Sequence, residues 1–223
     1  MDRPEILPID DSATVWTTFR PTGRPLLVLM HGYGANERDL LPLAAQLPPE
    51  FAVAALRAPL PLGRGGHAWF PITADPGTPT LADADAATAG VLAWLETVRA
   101  EHAPGPVVLL GFSQGGAMAA HLLRRAPAAF AAAVVLSGFS VPGSVDGDAR
   151  LAQLRPPLFW GYDPADPIVP GAAFDRTRDF LSGHVDLREH RYAVGHSISA
   201  AELDDVAEFL AGVLDGVGPV IEP

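Results

Sequence analysis

Residues Val107 to Met118 read VVLLGFSQGGAM. Val107 to Leu110 form an unbroken apolar run, the pattern of a strand buried on both faces in a parallel sheet. Gly111, Phe112, Ser113, Gln114 and Gly115 follow at once. Ala117, Met118, Ala120, Leu122 and Leu123 then read as a helix, with Pro127 as its stop. A buried strand, a sharp Gly-flanked turn carrying a serine, and a helix describe a nucleophile elbow. The glycines have a steric role in it. The turn brings strand and helix backbones together and strains the serine, so side chains at Gly111 and Gly115 would clash. The serine is pushed out at the carboxyl end of the strand, where the next helix points its N–H groups at whatever is attacked. A bare G-x-S-x-G pattern is a weak signal, and its place between a strand pattern and a helix pattern is what gives it weight.

Outward from this unit the same alternation continues. Toward the N-terminus, Ala82 to His102 reads as an amphipathic helix with Val91, Leu92, Leu95 and Val98 on one face. Phe51 to Leu56 and Leu26 to Met30 read as buried strands, and Thr14 to Arg20 as an edge strand. Between them Asn36 is placed to cap a helix running through Leu40, Leu43 and Ala44 to about Leu47. Toward the C-terminus, strands are expected at Ala132 to Leu136, Pro157 to Tyr162 and Asp186 to Tyr192, with a helix at Ala172 to Leu181. Ser199 opens the last helix, with Glu202 three positions on as a capping box. Strands and helices alternating over the whole length imply an α/β fold, a mostly parallel central sheet covered on both faces, with no large lid domain. From Pro59 to about Thr80 the chain is rich in Gly and Pro and lacks periodicity. A loop of that length in a compact domain is usually functional. Its aromatic residues, Trp69 and Phe70, are expected to wall a substrate pocket, joined by the short Phe139 to Val145 segment.

The bulk properties narrow the function. A chain of 223 residues suits one domain, 1–223, and 48% hydrophobic with 18% charged residues is a globular composition. The formal charge is −11, and every cation is one of 15 arginines, since lysine is absent. That balance argues against a nucleic-acid partner or an anionic membrane surface, both of which need clustered positive charge. Without cysteine there is no disulfide framework, thiol nucleophile or thiolate metal site. MDRPEILPIDD has no apolar core of signal-peptide length, and no run approaches the ~20 apolar residues of a membrane span. A cytoplasmic chain with no stable membrane insertion is the expectation.

A serine hydroxyl needs a base within hydrogen-bond reach, and the base needs an orienting acid. Asp166 lies in GYDPADPIVP, just after the strand at Leu158 to Tyr162. His196 lies in VGHSIS, just after the last strand. The order Ser, Asp, His is that of an α/β-hydrolase. By position, the oxyanion hole is the backbone N–H of Gln114, at the start of the elbow helix, with that of Tyr33 in the HGYG loop. His31 is expected to shape that loop and not to act as a base. His102, His121, His184 and His190 read as surface or packing residues, and none forms a metal-ligand spacing such as HExxH. Ser137 lacks flanking glycines on both sides, and Arg124 with Arg125 reads as a solvated helix end.

With LMHGYGAN, AWF, GFSQGGAMA, DPIVP and GHSIS spread over nearly the whole chain, the sequence resembles the phospholipase/carboxylesterase family of small α/β-hydrolases, which includes acyl-protein thioesterases. The resemblance implies Ser113 as nucleophile, His196 as general base, Asp166 as the acid that orients it, and no cofactor. One departure from the family pattern is visible. The strand before the acid usually ends in His-Gly two residues short of the Asp, whereas here Trp160 stands for the His, and both Asp163 and Asp166 follow Gly161. Pro167 to Pro170 favours Asp166, leaving Asp163 to an Asx turn with Pro164. The expected activity is serine carboxylesterase action on a small-molecule ester of small or medium acyl chain, rising with pH as His196 loses its proton. A thioesterase or lysophospholipase is the alternative with the same triad, and a ligand-binding protein on a hydrolase scaffold is the rival without turnover. Small hydrolases of this type often form homodimers.

Overall fold

In the computed structural model, which describes residues 6–17, 21–72 and 76–217, the chain lays down β1 (Val15–Trp16), β2 (Leu26–Met30), the single-turn α1 (Leu41–Ala44) and β3 (Ala52–Leu56). A hairpin of β4 (Leu60–Gly63) and β5 (Gly66–Ala68) comes next, then α2 (Leu81–His102), β6 (Val107–Phe112) and α3 (Gln114–Arg125). The C-terminal half adds β7 (Ala132–Leu136), α4 (Asp148–Leu154), β8 (Pro157–Tyr162), α5 (Gly171–His184), β9 (Asp186–Arg191) and α6 (Ala200–Val217).

Seven strands form one sheet in the order β1-β3-β2-β6-β7-β8-β9, parallel throughout except for β1 against β3. Strands β2, β3 and β7 are buried at every position, which is why their sequences read as unbroken apolar runs. Alternate residues serve the two faces. Leu26, Val28 and Met30 pack with α2 and α3, while Leu27 and Leu29 pack with Leu203, Val206 and Leu210 of α6. Both faces are therefore covered, and among the described residues no separate lid domain stands over the sheet. Because the inner strands are parallel, the chain segments that follow β2, β6, β8 and β9 all emerge at the same edge. The order of strands reverses between β2 and β6, and the crevice outside that switch point is where ligands bind in open α/β sheets.

Some local expectations are corrected. The edge strand is short, Val15–Trp16, and part of its expected range lies outside the described residues. Asn36 does not cap a long helix. Its side chain accepts the Arg38 N–H at 3.0 Å and holds a turn, and only Leu41–Ala44 is helical, with Pro42 in its first turn. The segment after Pro59 is not structureless, because β4 and β5 pair in it. Arg124 is not solvated. It is 1% exposed, holds both Asp148 oxygens at 2.8 and 2.9 Å, and donates to the Val141 and Gly143 carbonyls. Arg125 pairs with Asp85, which also meets the buried His121.

The capping box at α6 is only half made. Ser199 Oγ accepts the Glu202 N–H at 3.1 Å. The Glu202 side chain turns inward instead, 1% exposed, against Gly161, and neither carboxylate oxygen has a hydrogen-bond partner among the described residues. Burial pushes its pKa up to about 7, with the Ser199 backbone N–H pulling the other way and Asp205 adding to the rise. A free glutamate titrates near 4.5, so the folded state holds this proton more tightly than the unfolded chain. The resulting stabilisation is fully present below about pH 4.5 and is lost as pH rises through about 7. Urea denaturation should accordingly show wild type losing about 2 kcal/mol more than Glu202→Gln between pH 5 and pH 8. Equal losses would contradict a buried, unpartnered carboxyl.

Candidate active site

Ser113 joins β6 to α3 with φ 55° and ψ −115°, a conformation worth ~1–3 kcal/mol of strain in a non-glycine residue. The surroundings hold it there. Its N–H donates to the Leu136 carbonyl at 2.8 Å, and its carbonyl accepts the Ala117 N–H at 3.0 Å. A Cβ at Gly111 would lie 2.0 Å from the Gly115 oxygen, and one at Gly115 would lie 1.9 Å from the Met30 oxygen. The helix can thus start directly against β2 only where those side chains are missing.

The parallel sheet brings the other groups to Ser113. Ser113 Oγ donates to His196 Nε2 at 2.9 Å, and His196 Nδ1–H donates to Asp166 Oδ2 at 2.7 Å, the tautomer that satisfies both contacts. The Asp166 side chain is fully buried, and its second oxygen accepts the Ile168 and Val169 N–H groups at 2.7 and 3.0 Å. Asp163 makes no contact with the imidazole. Its Oδ1 accepts the Ala165 N–H, the expected Asx turn, and its Oδ2 accepts the Val194 and Gly195 N–H groups at 2.8 and 2.6 Å. These N–H donations, Ala165 and Gly195 foremost, hold the Asp163 carboxyl below the usual aspartate range. Asp163 therefore clamps the backbone that leads into His196, a role the sequence reading missed.

Trp160, at the departure from the family pattern, is fully buried. It donates from Nε1 to the Gly138 carbonyl and stacks on Tyr162 at 4.1 Å. Trp160 packs in the core, and the Asp166–His196 contact is made with it in place. Ser137 is 1% exposed and does not line the cavity beside Ser113.

The N–H groups of Gln114 and Tyr33 take no backbone partner among the described residues. The loop carrying Tyr33 is held from both sides. On one, the Gly34 N–H donates to the His67 carbonyl and the His67 N–H to the Ala35 carbonyl, at 2.9 and 2.8 Å. On the other, the buried His31 donates from Nδ1 to the Gly32 carbonyl and accepts the Ala58 N–H at Nε2. Burial lowers the His31 pKa, against opposing pulls from the Gly32 carbonyl and Asp39, which suits a neutral, loop-shaping imidazole.

Trp69 and Phe70 do not wall the pocket. They are 0% and 1% exposed, locked beneath it by the Gln114 amide, which accepts the Trp69 N–H at 2.8 Å and donates to the Phe70 carbonyl at 2.7 Å. Trp69 Nε1 donates to the His31 carbonyl. This anchoring delivers the following residues, Ile72 and Pro76, to the pocket instead. A cavity of about 300 Å³ opens beside Ser113 and His196, walled by Ile72, Pro76, Phe139, Ile168 and Val169 and touching Tyr33 and Gln114. Of the Phe139 to Val145 segment only Phe139 reaches it. A larger cavity of about 580 Å³ lies at the amino ends of β8 and β9, away from Ser113, and its lining holds no serine or histidine. Among the described residues no cluster of His, Asp or Glu is arranged as a metal site.

A family profile described as Phospholipase/Carboxylesterase matches residues 19–214. The chain belongs to the phospholipase/carboxylesterase family. Acyl-protein thioesterase 1 of Saccharomyces cerevisiae is 30% identical over 112 residues, 48% of this chain and 49% of the relative, so the match spans about half the length of that curated family member. Among solved structures of similar fold, esterase PE8 superposes with a TM-score of 0.76 at 28% identity, covering 93% of this chain and 100% of that one. The Bacillus cereus carboxylesterase gives 0.78 at 24% identity over 90% and 94%, and shares the fold.

Gly115→Ala should cost about 3 kcal/mol by overpacking against the β2 backbone, whereas Gly212→Ala, on an open face of α6, should gain about 1 kcal/mol of helix propensity. Thermal denaturation of the two variants reads the sign directly. A Gly115→Ala protein as stable as wild type would contradict the close approach that shapes the elbow.

Proposed function

We propose that the chain is a serine carboxylesterase that hydrolyses esters of small or medium acyl chains through an acyl-enzyme. The observation that carries this reading is the continuous relay from Ser113 through His196 to the buried Asp166, opening on an apolar cavity. Ser113 Oγ attacks the ester carbonyl carbon as His196 Nε2 takes its proton. The oxyanion that forms meets the N–H groups of Tyr33 and Gln114, each worth ~2.7–4 kcal/mol of transition-state stabilisation. The bond to the alcohol then breaks, and His196 hands the proton to the departing oxygen. Water next attacks the acyl group on Ser113 and gives its proton to His196, and Ser113 leaves with that proton as the acid is released.

Asp166 keeps the imidazole in the tautomer that can accept from Ser113. The cavity, about 300 Å³, is at the small end of ligand pockets, which run from ~300 to 1,000 Å³, and supports the chain-length assignment. The likeness to esterase PE8 supports an ester substrate. A thioester is the second reading, favoured by the yeast relative's name. The two differ in the departing atom, and parallel rates on an oxyester and a thioester of one acyl group separate them.

Hydrolysis of p-nitrophenyl esters from acetate to palmitate tests the reading. Turnover should peak at short to medium chains and fall at least ~10⁴-fold in Ser113→Ala. No turnover on any ester, or equal turnover in the variant, would contradict it. Asp163→Ala should lower kcat/KM by about 100-fold, mainly through kcat, because an unclamped backbone misplaces His196. An unchanged kcat would remove Asp163 from any positioning role.

A further inference from the structure

A second cavity of about 340 Å³ adjoins the first, with Phe112 and His196 as part of the boundary between them. Its floor is alkyl, from Leu40, Leu43 and Ile198, and its rim carries Asp39. One Asp39 oxygen is fixed by the Asn36 N–H at 2.8 Å, and the carboxylate has no ion pair among the described residues. Of the neighbouring cations, Arg57 holds both Glu37 oxygens at 2.7 Å, and Arg38 is exposed, 3.9 Å from the same carboxylate.

A tetrahedral intermediate on Ser113 has three further substituents to place. Its oxyanion belongs to the Tyr33 and Gln114 N–H groups, and its acyl chain to the cavity that touches Gln114 and Ser113. The departing oxygen must face His196, which returns the proton. The second cavity touches His196 and Ser197 but neither Gln114 nor Ser113, which sets it on the His196 side of the first.

We propose that this cavity is the leaving-group subsite and that it selects esters of cationic alcohols, of the alkylammonium or quaternary ammonium class, over neutral ones. The inference rests on the ester-hydrolase reading. Asp39 supplies a carboxylate with no ion pair among the described residues, and Leu40, Leu43 and Ile198 a surface for alkyl substituents. A formal net charge of −11 draws cations toward the whole molecule.

Butyrylcholine and 3,3-dimethylbutyl butyrate share an acyl group and differ by a quaternary nitrogen in place of a carbon, so the ratio of their kcat/KM values isolates the charge. At low salt wild type should favour butyrylcholine about fivefold, the most that one exposed carboxylate gives. The preference should shrink toward unity in Asp39→Asn, and in wild type as salt is raised, the second measurement needing no variant. A wild-type ratio of one or less, with both esters turned over, would overturn the subsite while leaving the esterase reading intact. A ratio insensitive to Asp39→Asn would also overturn it, whatever its response to salt, because the net charge of the whole molecule is screened by salt as well. Hydrolysis of neither ester would take down the esterase reading and the subsite with it.

Discussion

Helix α3 begins so close to β2 that a methyl group at Gly115 would meet the Met30 carbonyl oxygen at 1.9 Å. That approach leaves no room for a relaxed turn, and Ser113 takes a positive φ as a result. The strain is sustained by the parallel sheet on either side, which fixes the Leu136 carbonyl that receives the Ser113 N–H. With the serine held at the carboxyl edge, the segments after β2, β8 and β9 need only short excursions to reach it. The site is thus a consequence of sheet topology, with its precision supplied by local clamps.

Those clamps divide the work between two aspartates three residues apart. Asp166 spends one oxygen on the imidazole and the other on the backbone of its own loop. Asp163 spends an oxygen on the backbone leading into His196. One meets the ring and the other the chain that carries it, so two acids follow Gly161 while only one touches the imidazole. A comparable pairing holds the opposite wall, where the Gln114 amide joins the elbow to Trp69 and Phe70.

The parts legible in the sequence were those governed by short-range pattern. β2, β7 and β8 read correctly because strands buried on both faces are continuously apolar, and the elbow because its glycines are sterically required. Asp166 could be preferred over Asp163 from the Pro-Ile-Val-Pro that follows it. The hairpin β4–β5 escaped because β4 is mostly exposed and irregular in register, and His67 of β5 is paired with the distant Gly34 and Ala35. Trp69 and Phe70 were misassigned for a related reason. Large aromatics in a Gly- and Pro-rich stretch signal burial against something, and only the fold reveals that they lie beneath the pocket, with Ile72 and Pro76 carried to its wall. Asn36 satisfied a capping pattern but spent its side chain on a turn.

The central claim is that Ser113 is the one nucleophile and that His196 activates it. An alkyl fluorophosphonate mimics the tetrahedral state and stays attached to the oxygen that attacks it, so intact-mass analysis followed by peptide mapping tests the claim without any choice of substrate. The account predicts a single adduct on Ser113, formed rapidly in wild type and lost on the same timescale in His196→Ala. No adduct, or one on Ser137 or any other residue, would contradict it.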